Sequence, residues 1–170
     1  MSAPYLIALL VAGAMTLAGC NHTMQEGKIR SYNGLEVTHI IVDKSDRNLR
    51  LYHHDRVLKS FPVHLGSNPR GHKEFMGDGR TPEGWYRIDR KNSNSSFHLS
   101  LGISYPDPLD TQRARARGRS PGGDIFIHGK PNDGRTVGRD WTAGCIAVTN
   151  GQIETIYSMV EINTPILIRA

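Results

Sequence analysis

The sequence predicts a mainly β fold in a single domain with a few short helices. The chain has 170 residues, which is the size of one ordinary domain, and no break in composition divides it in two. Short β-prone runs separated by polar turns follow one another after residue 36, whereas only two segments have helical spacing. These observations together favour a core built on a sheet.

Seven segments are predicted to be strands. Their apolar and β-branched residues alternate or form short runs that end at polar turns. Polar turns at residues 43–46 and at His54-Asp55 separate the first three segments, which indicates a meander. The predicted strands are residues 37–42, 49–52, 57–65, 85–88, 97–103, 125–127 and 165–168, the last of which is expected to close the sheet.

Two helices are predicted, one before and one after the predicted strand at residues 125–127. The first begins near Asp110 and continues to Arg117, and Gly118 ends it. The second follows Thr149, which forms a capping-box pattern with Gln152. Its apolar residues then recur at helical spacing. They are Ile153, Ile156, Tyr157 and Val160.

The first twenty residues have the features of a secretory signal peptide. They contain no charged residue, and their apolar run at 5–17 is too short for a comfortable membrane span. The run ends in Leu17-Ala18-Gly19-Cys20, which resembles the lipobox of bacterial lipoproteins. The sequence therefore predicts a lipoprotein-type signal peptide at 1–20, a polar tether at 21–34 and the folded domain at 35–170.

A lipid on Cys20 would anchor the protein to a membrane of the cell envelope. Asn21 is not the aspartate that resembles an inner-membrane retention signal, so an anchor in the outer membrane facing the periplasm is favoured. A cleaved soluble form and an uncleaved anchor remain open, because the first residues lack the usual Lys or Arg. Lipidation would also leave Cys145 without a disulfide partner, which makes it a candidate nucleophile or an inert buried thiol.

The formal net charge of +5 does not indicate nucleic-acid binding. The basic residues are dispersed apart from one cluster, and no DNA- or RNA-binding motif accompanies them. An anionic polymer and a solvated basic face without a partner explain the charge equally well. The cluster consists of Arg113, Arg115, Arg117 and Arg119.

Two residues are candidates for nucleophilic catalysis. His128 ends an apolar strand, and Cys145 follows after sixteen intervening residues. A thiol with a pKa of about 8.5 is mostly protonated at neutral pH, so a cysteine nucleophile needs a nearby base such as imidazole. The segment Ala143-Gly144-Cys145 is suited to aim backbone N–H groups at an oxyanion, because glycine permits close approach.

These residues resemble the catalytic domain of the L,D-transpeptidases, also called the YkuD or ErfK family. His128-Gly129 and Thr142-Ala143-Gly144-Cys145 match the family's His-Gly and Ser/Thr-x-Gly-Cys motifs in order. Residues 77–86 resemble the family's Thr-Pro-x-Gly-aromatic segment in the form of its murein-hydrolase-like branch, and residues 121–125 also fit. The resemblance extends from about residue 37 to residue 168.

The resemblance implies a β-sandwich-like domain that transfers acyl groups on peptidoglycan stem peptides. Cys145 would attack the L-centre amide carbon of diaminopimelate, expel D-alanine and form a thioester that an amine resolves. His128 would carry the protons, and a backbone carbonyl near Gly129 is expected to orient it. No cofactor is implied, and no metal is expected because no two histidines have metal-ligand spacing.

The chain departs from the family motif at two positions, which leaves the acceptor open. The commonest form has His and a polar residue where this chain has Ala143 and Ala147. Water as the acceptor would give an L,D-carboxypeptidase or endopeptidase, and some members detach lipoprotein from peptidoglycan. A non-catalytic murein-binding lipoprotein is an alternative of another class.

Four side chains are candidate substrate contacts. Three of them lie immediately before the cysteine, and the fourth follows a predicted strand. Ordinary packing and a surface ion pair are the alternative explanations for these residues. The four are Arg139, Trp141, Thr142 and Tyr105.

Overall fold

The computed structural model describes residues 27–170. The predicted signal peptide and Cys20 lie outside the described residues, as does the tether up to residue 26. Within residues 27–170, no helix is both long enough and apolar enough to cross a bilayer.

Eight strands and two helices make up the described part of the chain. In chain order they are β1 (His39–Asp43), β2 (Asn48–His53), β3 (Arg56–Pro62), β4 (Gly84–Ser95), β5 (His98–Ile103), α1 (Pro108–Ala116), β6 (Phe126–His128), β7 (Ile146–Ala147), α2 (Asn150–Met159) and β8 (Pro165–Arg169). The predicted fold class, mainly β with short helices in one domain, is confirmed.

The strands form one sheet in the order β3-β2-β1-β8-β4-β5-β6-β7. The antiparallel meander of β1, β2 and β3 is as predicted. The last strand does not close the sheet: β8 lies in its interior, parallel to β1 and antiparallel to β4. Its buried residues Ile166 and Ile168 explain this position, because an interior strand puts both in the core.

Strand β4 links the two halves of the sheet. Its first residues pair with β8, and its remainder pairs with β5. At twelve residues it is much longer than predicted, because it continues through the polar run 89–95, which has no apolar alternation. This length places β5, β6 and β7 beside the meander half.

The two ends of the sheet meet near the cysteine. His64, just after β3, exchanges two backbone hydrogen bonds of 2.8 Å with Ala147 of β7. Gly66 forms a further bridge to Thr142. The sheet therefore curls so that the loop before Cys145 rests against the chain that leaves β3.

Both predicted helices are present, with the expected caps. Thr149 and Gln152 form the capping box of α2, which packs against β5. Helix α1 begins two residues earlier than predicted, because Asp107 caps it and Pro108 occupies its first turn. Leu101 and Ile127 are fully buried on one face of β5 and β6, whereas their neighbours Ser100 and His128 lie on the other face.

Candidate active site

Cys145 and His128 are brought together by two adjacent parallel strands. His128 is the last residue of β6 and pairs with Ala147 of β7. The same register puts Cys145, directly before β7, beside Phe126. Neighbours in register point to the same face of a sheet, and so do residues two apart on one strand. The thiol and the imidazole therefore share one face, on neighbouring strands.

The Cys145 sulfur is held by two backbone groups of the β6 segment. The backbone N–H of Phe126 donates to Sγ at 3.4 Å, and the thiol donates to the carbonyl oxygen of Asp124 at 3.4 Å. Both contacts fix the direction of the side chain. The thiol is thus oriented before any substrate binds.

The imidazole of His128 has a defined tautomer. Its Nδ1 lies 2.8 Å from the carbonyl oxygen of Gly129. Because a carbonyl only accepts hydrogen bonds, Nδ1 carries the proton in the neutral ring and Nε2 is the basic atom. The ring is 3% exposed and packs on Phe97 and Trp141, with ring centroids 4.5 and 5.5 Å away. These contacts restrict its rotation.

The electrostatics of the pair favour a neutral thiol beside a neutral imidazole in the resting protein. Burial raises the pKa of the Cys145 thiol, which the Phe126 N–H partly offsets. Burial lowers the pKa of His128, although the Gly129 carbonyl acts in the opposite direction. Both shifts have the cause expected for groups removed from water. Proton transfer from sulfur to Nε2 would therefore accompany attack on a substrate.

One cleft of about 320 Å³ contains both groups. It lies on the face of β5 and β6 that carries Ser100 and His128. Its walls combine hydroxyl and amide side chains with two aromatic rings. It is lined by Asn92, Ser95, Ser96, Phe97, Ser100, Asp124, Phe126, His128 and Cys145.

Gly144 is required by the shape of the loop before the cysteine. Its φ of +143° belongs to the region that side chains rarely adopt. A Cβ at this position would also lie 2.7 Å from the carbonyl oxygen of Arg80 and 3.1 Å from Ile125. No other residue type fits without moving Cys145.

The backbone N–H groups near Cys145 differ in whether they already have an acceptor. The N–H of Gly144 donates to the side-chain oxygen of Thr142 at 3.2 Å, so it is engaged within the loop. The N–H groups of Ala143 and Cys145 have no acceptor among residues 27–170. Of Ala143 and Gly144, the two residues expected to supply oxyanion donors, only Ala143 therefore has an N–H without a partner among the described residues.

Residues 37–168 match the family model of the L,D-transpeptidase catalytic domain, YkuD. This match covers more than half of the chain. The chain belongs to the YkuD family.

A curated relative agrees with the family match. YafK of Escherichia coli (strain K12), a protein named for the L,D-transpeptidase activity attributed to it, is 30% identical over 128 residues. The matched region is 72% of this chain and 46% of YafK. The chain thus spans about half the length of the curated relatives that it matches.

Solved structures of the YkuD family share the fold. The crystal structure of Pgp2 from Campylobacter jejuni, described as a helical cell shape determining protein, has a TM-score of 0.64 at 26% identity. The matched region is 85% of this chain and 51% of the Pgp2 chain. An L,D-transpeptidase from Mycobacterium smegmatis has a TM-score of 0.52 at 15% identity. The matched region is 79% of this chain and 59% of the M. smegmatis chain. This second likeness concerns the fold alone.

The four predicted substrate contacts occupy different places in this YkuD domain. Trp141 packs against His128, and the Arg139 side chain is 76% exposed beside Asp140. Thr142 is buried, and its hydroxyl donates to the Cys145 carbonyl at 2.7 Å. Thr142 therefore braces the loop and leaves no hydroxyl proton for a substrate.

Tyr105, the fourth predicted substrate contact, does not line the cleft that contains Cys145 and His128. The side chain is 5% exposed, and its hydroxyl donates to the carbonyl oxygen of Pro121 at 3.0 Å. Its ring packs on Tyr86 and His72. The bend after β5 turns this residue into the core, which the spacing along the sequence did not reveal.

Asp140 connects the cysteine loop to the β1–β2 turn. Its carboxylate accepts hydrogen bonds from Nε and Nη2 of Arg47 at 2.8–3.1 Å and from the backbone N–H of Leu65 at 3.0 Å. The neighbouring guanidinium, together with these hydrogen bonds, holds the pKa of Asp140 below its ordinary value despite burial. Asp140 therefore forms a structural ion pair with Arg47, and its carboxylate is not free to contact a substrate.

Sequence reasoning missed the part of the cleft that comes from β4 and β5. Ser100 lies opposite His128 in the antiparallel register, and Asn92 lies opposite Ser100. The Ser100 side chain is 3% exposed, and its hydroxyl has no hydrogen-bond partner within residues 27–170. The polar run 92–96 was a signal in the sequence, because polar side chains in a strand beside buried neighbours often line a site.

Proposed function

We propose that this protein is a peptidoglycan L,D-transpeptidase that uses Cys145 as nucleophile and His128 as the acid–base group. One observation carries the proposal: the thiol and the imidazole lie on the same sheet face and line one cleft. The tautomer imposed by the Gly129 carbonyl leaves Nε2 as the proton acceptor. Membership of the YkuD family supplies the substrate class, the stem peptides of peptidoglycan.

The first half-reaction is acylation of the cysteine. Sγ of Cys145 attacks the carbonyl carbon of the L-centre of diaminopimelate in a stem tetrapeptide, and Nε2 of His128 takes the thiol proton. The tetrahedral oxyanion accepts hydrogen bonds from the backbone N–H groups of Ala143 and Cys145. The C–N bond then breaks, the imidazolium returns its proton to the nitrogen, and D-alanine leaves.

The second half-reaction transfers the acyl group. The amine of a neighbouring stem peptide or of a D-amino acid attacks the thioester carbon and loses a proton to Nε2 of His128. The C–S bond breaks, and the thiolate of Cys145 takes back the proton. The products are a new amide and the free thiol, so protons and electron pairs balance over the cycle.

The test is turnover of defined muropeptides by the purified chain. Tetrapeptide muropeptides are incubated with and without a D-amino acid, and the products are followed by mass spectrometry. Cys145→Ala is expected to abolish every product, whereas Tyr105→Phe, the matched variant outside the cleft, is expected to retain turnover. Exchange products or cross-linked dimers establish the transpeptidase.

Other outcomes of this assay would contradict the proposal in distinct ways. Loss of D-alanine, or cleavage of existing cross-links, without an incorporated amine would assign a hydrolase with the same pair. When muropeptides that carry a lysine-linked peptide on diaminopimelate are the substrate, Cys145-dependent release of that peptide would assign the lipoprotein-detaching amidase. Absence of any Cys145-dependent product would favour a non-catalytic murein-binding protein.

The place of action that fits this substrate is the cell envelope. We propose that the signal peptide is cleaved before Cys20 and that the lipidated cysteine anchors the protein to the outer membrane on its periplasmic side. Incorporation of a labelled fatty acid into the wild-type chain but not into Cys20→Ala tests the anchor. Label retained in Cys20→Ala, or none in either protein, would contradict it.

A further inference from the structure

Arg90 lies in the same cross-strand row as the nucleophile. Arg90 of β4 pairs with Gly102 of β5, and Gly102 pairs with Phe126 of β6. The parallel register of β6 and β7 extends this row to Cys145. Neighbours in one row point to one face, so the arginine and the thiol are on the cleft side of the sheet.

Gly102 creates the space that Arg90 occupies. A Cβ on this residue would come within 2.6 Å of Cγ of Arg90, so any larger residue would displace the arginine. With no side chain in between, the guanidinium reaches across β5 and stacks over the ring of Phe126, with its carbon 4.6 Å from the ring centroid. This stacking holds the positive charge beside the cleft wall.

The resting partners of Arg90 are exchangeable. Nη1 contacts Asp89 at 2.9 Å and Nη2 contacts Asp124 at 3.1 Å. The Asp124 side chain is 89% exposed, and ion pairs in such a position contribute little because water screens them. A carboxylate arriving in the cleft competes for the same guanidinium with the planar geometry that arginine binds best.

We propose that Arg90 binds the C-terminal carboxylate of the donor stem peptide and releases Asp124 when it does so. This inference rests on the proposed function, because it names the part of that substrate that is recognised. Three bonds separate the terminal carboxylate carbon from the scissile carbonyl carbon of the tetrapeptide. The strands that carry Phe126 and Cys145 are about 5 Å apart. A peptide positioned for attack by Cys145 therefore has its terminal carboxylate within reach of the stacked guanidinium.

The experiment measures binding in the absence of chemistry. Full-chain Cys145→Ala is titrated calorimetrically with a muropeptide tetrapeptide and with the same peptide carrying a C-terminal carboxamide. The carboxylate form is expected to bind about 10- to 100-fold more tightly, the range for a hydrogen-bonded charged pair. Adding Arg90→Gln is expected to reduce this ratio to about one. Arg87→Gln is the matched control, because this arginine of β4 contacts the carbonyl oxygen of Asn163 instead.

Each remaining outcome decides the inference independently of turnover. No preference in the Arg90-containing protein, or a preference that persists after Arg90→Gln, overturns it. If amidation of the side-chain carboxylate of diaminopimelate weakens binding in place of amidation of the C-terminus, Arg90 recognises that carboxylate. This outcome also overturns the inference. If thermal unfolding shows that Arg90→Gln is not folded, Arg90→Lys replaces it, with a ratio expected to fall several-fold because the bidentate fork is lost. Failure of the proposed function would appear separately, as absence of Cys145-dependent products in the muropeptide assay.

Discussion

The hydroxyl of Thr142 donates a hydrogen bond to the carbonyl oxygen of Cys145 at 2.7 Å. The hydroxyl oxygen of Thr142 also accepts a hydrogen bond from the backbone N–H of Gly144 at 3.2 Å. One buried side chain thus closes the turn that presents the nucleophile. The loop geometry, and with it the direction of the Cys145 N–H, depends on this side chain.

Thr142→Val is expected to destabilise the protein by about 1 to 3 kcal/mol, because it leaves the Cys145 carbonyl and the Gly144 N–H without their partner. Turnover of tetrapeptide is expected to fall more than stability explains. Chemical denaturation and kcat/KM are measured for both proteins. Thr142→Ser should restore both quantities, and Thr155→Val, which loses only the exposed bond to Gly151, should change neither. Wild-type kcat/KM in Thr142→Val would contradict the bracing role.

Gly144→Ala is expected to cost about 3 kcal/mol or more, because it adds a left-handed backbone penalty to a clash with the Arg80 carbonyl. The measurement is the free energy of unfolding together with the yield of acyl-enzyme. Gly138→Ala is the control in the same loop, since its Cβ would meet no atom within 4 Å. Similar unfolding free energies for Gly144→Ala and Gly138→Ala would show that the turn accommodates a Cβ at residue 144 and would contradict the requirement for glycine.

As the pH is lowered, kcat/KM is expected to fall to half of its maximum only below pH 6.5, the ordinary pKa of histidine. Burial lowers the pKa of His128, so the neutral ring that accepts the thiol proton persists to lower pH and activity is lost as pH falls through the lowered value. A pH profile of kcat/KM on tetrapeptide tests this expectation. An acid limb above pH 6.5 would indicate that the imidazolium is stabilised by the thiolate.

The resting thiol is expected to react slowly with iodoacetamide. Burial raises the pKa of the Cys145 thiol above its ordinary value, so near pH 7 its thiolate fraction is smaller than that of free cysteine. The rate is expected to rise as pH passes 9. Peptide mass spectrometry assigns the label to Cys145 and separates it from Cys20. Alkylation at pH 7 faster than that of free cysteine would indicate a preformed ion pair with His128.

Asp140→Asn is expected to reduce stability at pH 7 by about 1 to 3 kcal/mol, because the carboxylate that Arg47 contacts is mostly buried. The pKa of Asp140 is lowered in the folded protein. Its contribution is therefore complete above pH 3.8 and is lost as pH falls through the lowered value. The unfolding free energies of the wild-type protein and of Asp140→Asn, measured at several pH values, should converge below pH 3.8. Asp133→Asn, from an exposed pair with Arg135, is the control and should change little.

Local rules were sufficient for the elements whose signals lie within a few residues. The capping box at Thr149 and Gln152 predicted the start of α2, because a cap is made within one turn. Apolar alternation predicted most strands, but strand β4 was cut short at residue 88. The polar residues that continue this strand face the cleft and solvent, so this part of the sequence has no alternation of apolar residues.

The motifs His128-Gly129 and Thr142–Cys145 were enough to predict the family, the two reactive groups and their order, because each motif is contiguous and specific. Which side chains surround these groups depends on the folded chain. The register of β4, β5, β6 and β7 brings Arg90, Ser100 and Phe126 to the cleft, while the bend after β5 removes Tyr105 from it. Strand register and loop direction depend on packing between distant segments. That information is not contained in the spacing of any one segment.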